Sequence, residues 1–321
     1  MSNTIQFTRE IPVRHTVDIF IAGGGPAGVT AAIAATRGGA SVYLVEGQAC
    51  FGGMGTSGLV PAFMQFGDGV NFLAAGLGKE IYENLKQETT LFQDDVHGNI
   101  SIDVEAFKRV YDQMMVESGA AFTFQTQLIG VEAENGTVKS AICWGKSGIF
   151  AVQAKVYIDA TGDGDLAAWA GADYEKGDAQ GRMMPGTLCG LWANYDWEAR
   201  HAVGGPENQF MDEAFERGIF TYPDRHLPGM WQVWDNVAGG NLLHTFGVDS
   251  TDERSLTEAI LWGRRCILEY ERYYREFYPE AFQDAHLVGT GSLLGIRESR
   301  RILGDYILNA EDFETRAVFP D

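Results

Sequence analysis

The sequence predicts an α/β protein that begins with a β-α-β unit. Three stretches carry that expectation. "DIFIAGGGPAGVTAAIAATRGGASVYLVE" (18–46) runs strand, glycine cluster, helix, strand, and stops on an acid. "DVEAFKRVYDQMMVESGA" (103–120) has helical spacing and precedes three β-like runs. "AKVYIDATGDGD" (154–165) then ends a further strand in a second glycine turn.

In the first stretch, "VDIFIA" is a short apolar run bounded by glycine, as a strand buried on both faces requires. Pro26 stands in the first turn of the following helix, small residues fill its length, and Gly38 and Gly39 close it. "SVYLVE" is the next strand. Gly23, Gly25 and Gly28 fall in G-x-G-x-x-G register. The first permits a tight turn, the second lets a diphosphate approach the backbone, and the third lets helix pack against sheet. Pro26 and Ala27 lie between them, where helix-terminal N–H groups and the helix dipole favour an anion. Glu46 follows Gly28 by eighteen residues, at the end of the second strand, where a carboxylate can accept from ribose hydroxyls. The expectation is a bound dinucleotide, and the unit alone serves NAD and FAD alike.

Composition bounds the rest. The 321 residues are 45% hydrophobic and 21% charged, an ordinary globular balance, with a net charge of −20. So acidic a chain lacks the clustered cations that a nucleic-acid partner demands. No apolar run reaches the ~18 residues of a membrane span, and "MSNTIQFTREIPVRHT" offers no apolar signal core. Cys50, Cys143, Cys189 and Cys266 are far apart without a CxxC pair, which suggests reduced thiols in a cytoplasmic protein and no metal site.

Further along, Phe107, Val110, Tyr111, Met114 and Met115 define one helical face, with Asp103 as N-cap and Gly119 as stop. "AFTFQTQLIGVEA", "GTVKSAICWG" and "GIFAVQAKVYIDATG" read as three strands, the first two joined by an Asn135-Gly136 hairpin. A third helix is expected from about Leu256 to Phe277.

Glu46 followed by "GQACFGGMGTSGLV" (47–60) resembles the glutathione-reductase-like class of FAD-binding proteins. "ATGDGDLAAWAGA", "VDSTDERSLTEAI" and "GTGSLLGIRESRRILGDYILNAEDF" resemble the FAD-dependent oxidoreductase family, over roughly Val13 to Phe313. The resemblance implies a Rossmann-like FAD-binding domain with a β-meander (1–172), an inserted α+β substrate domain (173–288) and a return toward the first domain (289–321). It implies that Gly52, Gly53 and Met54 fold over the ADP half and that Leu128 marks the strand meeting the adenine. Ala160, Thr161, Gly162 and Asp163 would end the strand beside the cofactor. Dithiol chemistry is not implied, because Gly55 stands where a partner of Cys50 would. Family members carry a further C-terminal segment, so the resemblance also raises an incomplete flavin site, either completed by a second chain or belonging to a shortened or degenerate form; a homo-oligomer is the other partner expectation.

The expected activity is that of an FAD-dependent oxidoreductase moving hydride or electrons between flavin and a small organic substrate. The alternative is a partial, non-catalytic flavoprotein subunit. Candidates for substrate work are His244, Arg297 and Arg300, since His can carry a proton near neutrality and Arg can grip a carboxylate. The competing structural interpretation of "RESRR" is a helical turn in which Glu298 pairs with Arg301. "LWANYDW", "GMWQVWDN" and "EYERYYREFYPE" concentrate aromatic residues, either as core or as a substrate platform.

Overall fold

The computed structural model describes residues 4–89, 91–92 and 95–320. β1 (Val13–Ala22) ends in the fully buried run Phe20, Ile21, Ala22. Helix α1 (Pro26–Arg37) starts on proline, whose missing N–H costs nothing in a first turn, and closes at Gly38. β2 (Val42–Val45) is buried along its whole length. Helix α2 (Val104–Ser118) is capped by the Asp103 carboxylate, which accepts from the N–H groups of Glu105 and Ala106, and ends on left-handed Gly119 at φ 79°. Four strands follow: β3 (Ala121–Thr123), β4 (Gln127–Glu134), β5 (Thr137–Gly145) and β6 (Gly148–Asp159).

These six strands form one sheet in the order β3-β2-β1-β6-β5-β4. Pairing is parallel from β3 to β6, with Ile21 between Leu44 and Ile158, and antiparallel across β6-β5-β4. Alternation sends neighbouring side chains to opposite faces. Ile21 and Leu44 pack against Val29, Ile33, Phe107 and Tyr111 of the two helices. Phe20 and Tyr43 face the meander residues Cys143, Phe150 and Val152. The fold is α/β with a Rossmann-like parallel sheet.

Two sequence expectations shift here. "AFTFQTQLIGVEA" is two strands, broken where Gln125 takes a positive φ of 50°. There the chain leaves the parallel edge, and Gln125 and Thr126 donate their N–H groups to the carbonyls of Gln48 and Glu46. "RESRRI" is no helical turn: Arg300–Ile302 pairs antiparallel with Tyr174–Lys176, although Glu298 and Arg301 do form an ion pair.

A second sheet is wholly antiparallel, with β7 (Gly190–Ala193), β8 (Gly229–Trp234), β9 (Val237–Asn241) and β10 (His286–Thr290) in the order β8-β9-β7-β10. Helix α3 (Glu253–Phe277) covers it and starts three residues before the sequence expectation, because Asp252 caps the amides of Arg254 and Ser255. The aromatic stretches are mainly core. Tyr270, Tyr273, Tyr274 and Tyr278 are at most 2% exposed and cluster with Trp192, Tyr195 and Phe282. At roughly 150–250 Å² each and ~25 cal/mol per Å², every such ring contributes about 4–6 kcal/mol of gross burial. Trp234 is the exception: it is half-exposed and its indole N–H reaches across to the Asp103 carboxylate at 2.9 Å, tying β8 to the start of α2.

Candidate cofactor and substrate site

The three glycines of the first turn have three different surroundings. A Cβ on Gly28 would lie 1.8 Å from the Gly23 carbonyl oxygen, and one on Gly23 would lie 2.3 Å from the Ala160 carbonyl oxygen. Helix, turn and β6 are therefore stacked backbone on backbone. Gly23 also sits at φ 101°, where other residues are strained. Gly25 differs: a Cβ there would meet nothing within 4 Å. It is the N-cap of α1, and no side chain caps the helix. The first-turn amides have no partner inside the helix, so the turn presents N–H groups to open space at the positive end of a dipole.

Glu46 holds this turn. Its Oε2 accepts from the Gly24 N–H and its Oε1 from the Gln48 N–H, both at 2.6 Å, and the residue is buried. The second glycine loop docks alongside, with the Gly52 N–H donating to the Gly24 carbonyl at 2.9 Å. Gly53 comes so close that its Cβ would be 3.3 Å from the Gly25 Cα. On the far side, Asp159 organises the strand end: Oδ1 accepts from the Thr161 N–H and hydroxyl, and Oδ2 from the Ala167 N–H.

A cleft of 570 Å³ opens between these elements. Gly23, Gly25, Pro26, Ala27 and Glu46 are among the residues lining it. Gly53, Met54, Leu128, Ala160, Thr161 and Gly162 line it too. Gly28 and Gly52 shape the turn from behind without lining it. A second cleft of 410 Å³ shares Met54, Thr161, Gly162 and Leu293 with the first, so the two adjoin. Asp163 and Arg297 line this second part. Arg300 stands behind it, donating to the Asp163 carbonyl at 2.9 Å and pairing with Asp165 at 2.6 Å.

His244 lines neither cleft. Its Nδ1 faces Asp224 Oδ2 at 2.8 Å, and its ring stacks on His226 at 5.0 Å. Burial holds its pKa below the usual 6.5, with Asp224 pulling upward and His226 and Arg297 adding to the depression. A depressed histidine pKa means the unfolded chain binds the proton first. The pair's stability contribution is thus complete above about pH 6.5 and is lost as pH falls through that value toward the folded pKa. Asp224→Asn removes the upward pull, so the His244 ring-proton titration is expected to move to still lower pH. An unchanged or raised midpoint by NMR would show that Asp224 does not govern this imidazole.

Several lining residues lacked any sequence signal. Leu293 joins the site because Ser292 and Leu293 donate their amides to the Ser57 carbonyl, more than two hundred residues away. Asp159 was visible only as the acid before "ATG". The Glu46 role is also wider than ribose contact. Glu46→Ala would leave the Gly24 and Gln48 amides without their charged acceptor, at about 1.5–3 kcal/mol for hydrogen bonds to a charged group. The expected result is lost stability in the cofactor-free protein as well as weaker dinucleotide binding. Denaturation curves overlapping those of the parent protein would rule out the clamping role.

A parallel sheet, a bare helix N-terminus behind G-x-G-x-x-G and a second glycine loop over it together define a dinucleotide-binding α/β protein of the flavoprotein type. The family model for FAD-dependent oxidoreductases matches residues 18–321, and the chain belongs to that family. FAD is its cofactor. Over 171 residues the chain is 29% identical to the digeranylgeranylglycerophospholipid reductase of Methanosphaerula palustris, a match covering 49% of this chain and 41% of that relative. The solved L-amino acid deaminase from Proteus vulgaris is similar over 93% of this chain and 86% of its own, with TM-score 0.55 and 12% identity. The p-nitrophenol 4-monooxygenase from Pseudomonas putida is similar over 90% and 69%, with TM-score 0.53 and 13% identity. At such identities the likeness is one of fold.

Proposed function

We propose that the chain is an FAD-dependent oxidoreductase of the glutathione-reductase-like class, acting on a small organic molecule. The observation that carries this is the trough that the first cleft makes along the Gly25 turn, Glu46, Leu128, Thr161 and Gly162. The Gly25 turn would receive the diphosphate, Glu46 the ribose side and Leu128 the adenine side. Bound flavin supplies the hydride or electron chemistry, so the protein's share is binding, orientation and proton management. Thr161, Gly162 and Asp163 would face the far half of the cofactor, with Arg297 beyond them.

In this reading residues 1–172 form the FAD-binding domain, 173–288 the substrate domain, and 289–321 the return that brings Leu293 and Arg297 to the clefts. The partner is a small molecule rather than nucleic acid, in keeping with a net charge of −20. Among the described residues no helix is long and apolar enough to cross a membrane, and a cytoplasmic location is proposed with the rest. The test is denaturing release of bound nucleotide from purified protein, identified by mass. FAD at near-stoichiometric yield supports the reading; NAD, or failure to take up FAD on reconstitution, overturns it.

A further inference from the structure

The second cleft carries an arginine without an acidic partner. Leu256, Ile260, Leu294 and Ile296 make much of its wall apolar, and Arg297 lies exposed at its rim. Two carboxylates also reach this cleft, and one of them, Glu298, is neutralised by an arginine outside it. Asp163 Oδ1 accepts from the Ser250 hydroxyl at 2.7 Å. Glu298 accepts from the Met184 N–H at 2.9 Å and pairs with Arg301. Arg297 makes one long hydrogen bond, from Nη2 to Thr187 Oγ1 at 3.3 Å, and among the described residues no carboxylate lies within ion-pairing distance of it. By contrast the neighbouring Arg300 and Arg301 both have acidic partners.

A guanidinium is always charged, and its planar fork matches a carboxylate in two parallel hydrogen bonds. Set beside an apolar wall, an unpaired fork selects a ligand with an anionic head and an apolar body. A phosphate would be poorly served, since a dianion needs more than one cation and the nearby His244 is held toward its neutral form. We infer that the second cleft takes a small organic carboxylate, with its carboxylate on Arg297 and its apolar body against Leu256, Ile260 and Leu294. This rests on the flavin reading for what happens next to the ligand, but not for the binding itself. Binding here would put the carbon chain of the acid beside the Met54–Thr161–Gly162 junction, where the two clefts meet.

The test compares acetate, isovalerate and benzoate with acetamide, isovaleramide and benzamide. Each is titrated by calorimetry into the FAD-loaded and FAD-free protein, and flavin absorbance is followed in the loaded form. At least one acid is expected to bind roughly tenfold or more tightly than its amide, the scale of a charge-assisted hydrogen bond. Arg297→Met should abolish that preference while retaining FAD at the parent stoichiometry, and Arg297→Lys should restore part of it. Acids and amides binding alike, no acid binding at all, or a preference that survives Arg297→Met would each overturn the proposal. Loss of FAD from Arg297→Met without any carboxylate response in the parent would assign the arginine to the cofactor instead. If the parent protein holds no FAD, the functional reading fails separately, and titration of the FAD-free chain still decides the carboxylate site.

Discussion

Gly25→Val is expected to leave the protein folded and to weaken FAD binding at least tenfold, about 1.4 kcal/mol or more. The two halves of that expectation have separate causes. Gly25 has φ −67° and ψ −178°, an extended conformation open to any residue, and a Cβ there would touch nothing within 4 Å. The added Cβ therefore strains neither backbone nor packing, and valine's poor rank as an N-cap costs about 1 kcal/mol. The same open space is where the helix N-terminus directs its unpaired amides, so a branched side chain would stand between them and the diphosphate. Circular dichroism and thermal unfolding of the FAD-free variant check the first half, and an FAD titration by flavin fluorescence checks the second. A folded Gly25→Val protein with parent-like FAD affinity would remove the turn from the cofactor site.

How much of this was legible in the sequence follows the range of the interactions concerned. The β-α-β unit could be read because its signals are local: an apolar run, glycines at fixed spacing, Pro26 at a helix start and an acid at a strand end. Asp103, Gly119 and the Asn135-Gly136 turn, at φ 50° and 74°, announce themselves for the same reason. Glu46 was found by position, but its hold on the Gly24 and Gln48 amides depends on how the turn folds back onto β2. Arg300 and "RESRRI" show the limit. The strand Arg300–Ile302 exists only because Tyr174–Lys176 lies beside it, and Arg300 meets Asp165 across 135 positions of sequence. His244 likewise takes its character from Asp224 and His226, which periodicity does not connect to it. His226 itself carried no partner pattern in the sequence. Arg297 was singled out as a type of residue; its lack of an acidic partner is a tertiary fact.

Gly28→Ala, one methyl added three residues beyond Gly25, is expected to damage the fold rather than the affinity. The new Cβ would have to occupy a point 1.8 Å from the Gly23 carbonyl oxygen and 3.2 Å from the Ala160 side chain. The first obstacle is backbone and the second a Cβ, and both sit on residues whose backbone is itself fixed: the Gly23 N–H donates to the Val45 carbonyl at 2.8 Å, and the Ala160 N–H to the Ala22 carbonyl at 2.9 Å. Relief therefore requires α1 to lift from the sheet, separating Val29 and Ile33 from Ile21 and Leu44 in the core. Alanine's better helix propensity returns only about 1 kcal/mol. Overpacking of a well-filled core costs about 1–3 kcal/mol, and an overlap with pinned backbone belongs at or beyond the upper end. Against a total stability of roughly 5–15 kcal/mol, the expected loss in the FAD-free protein is about 2 kcal/mol or more, read as a fall in the denaturant midpoint at unchanged slope. Measuring the FAD-free form keeps cofactor binding from masking the change, since a ligand that binds only the folded state raises apparent stability. A Gly28→Ala midpoint matching the parent, alongside an intact Gly25→Val fold, would show that helix and sheet are not stacked as closely as the Gly28–Gly23–Ala160 contacts require.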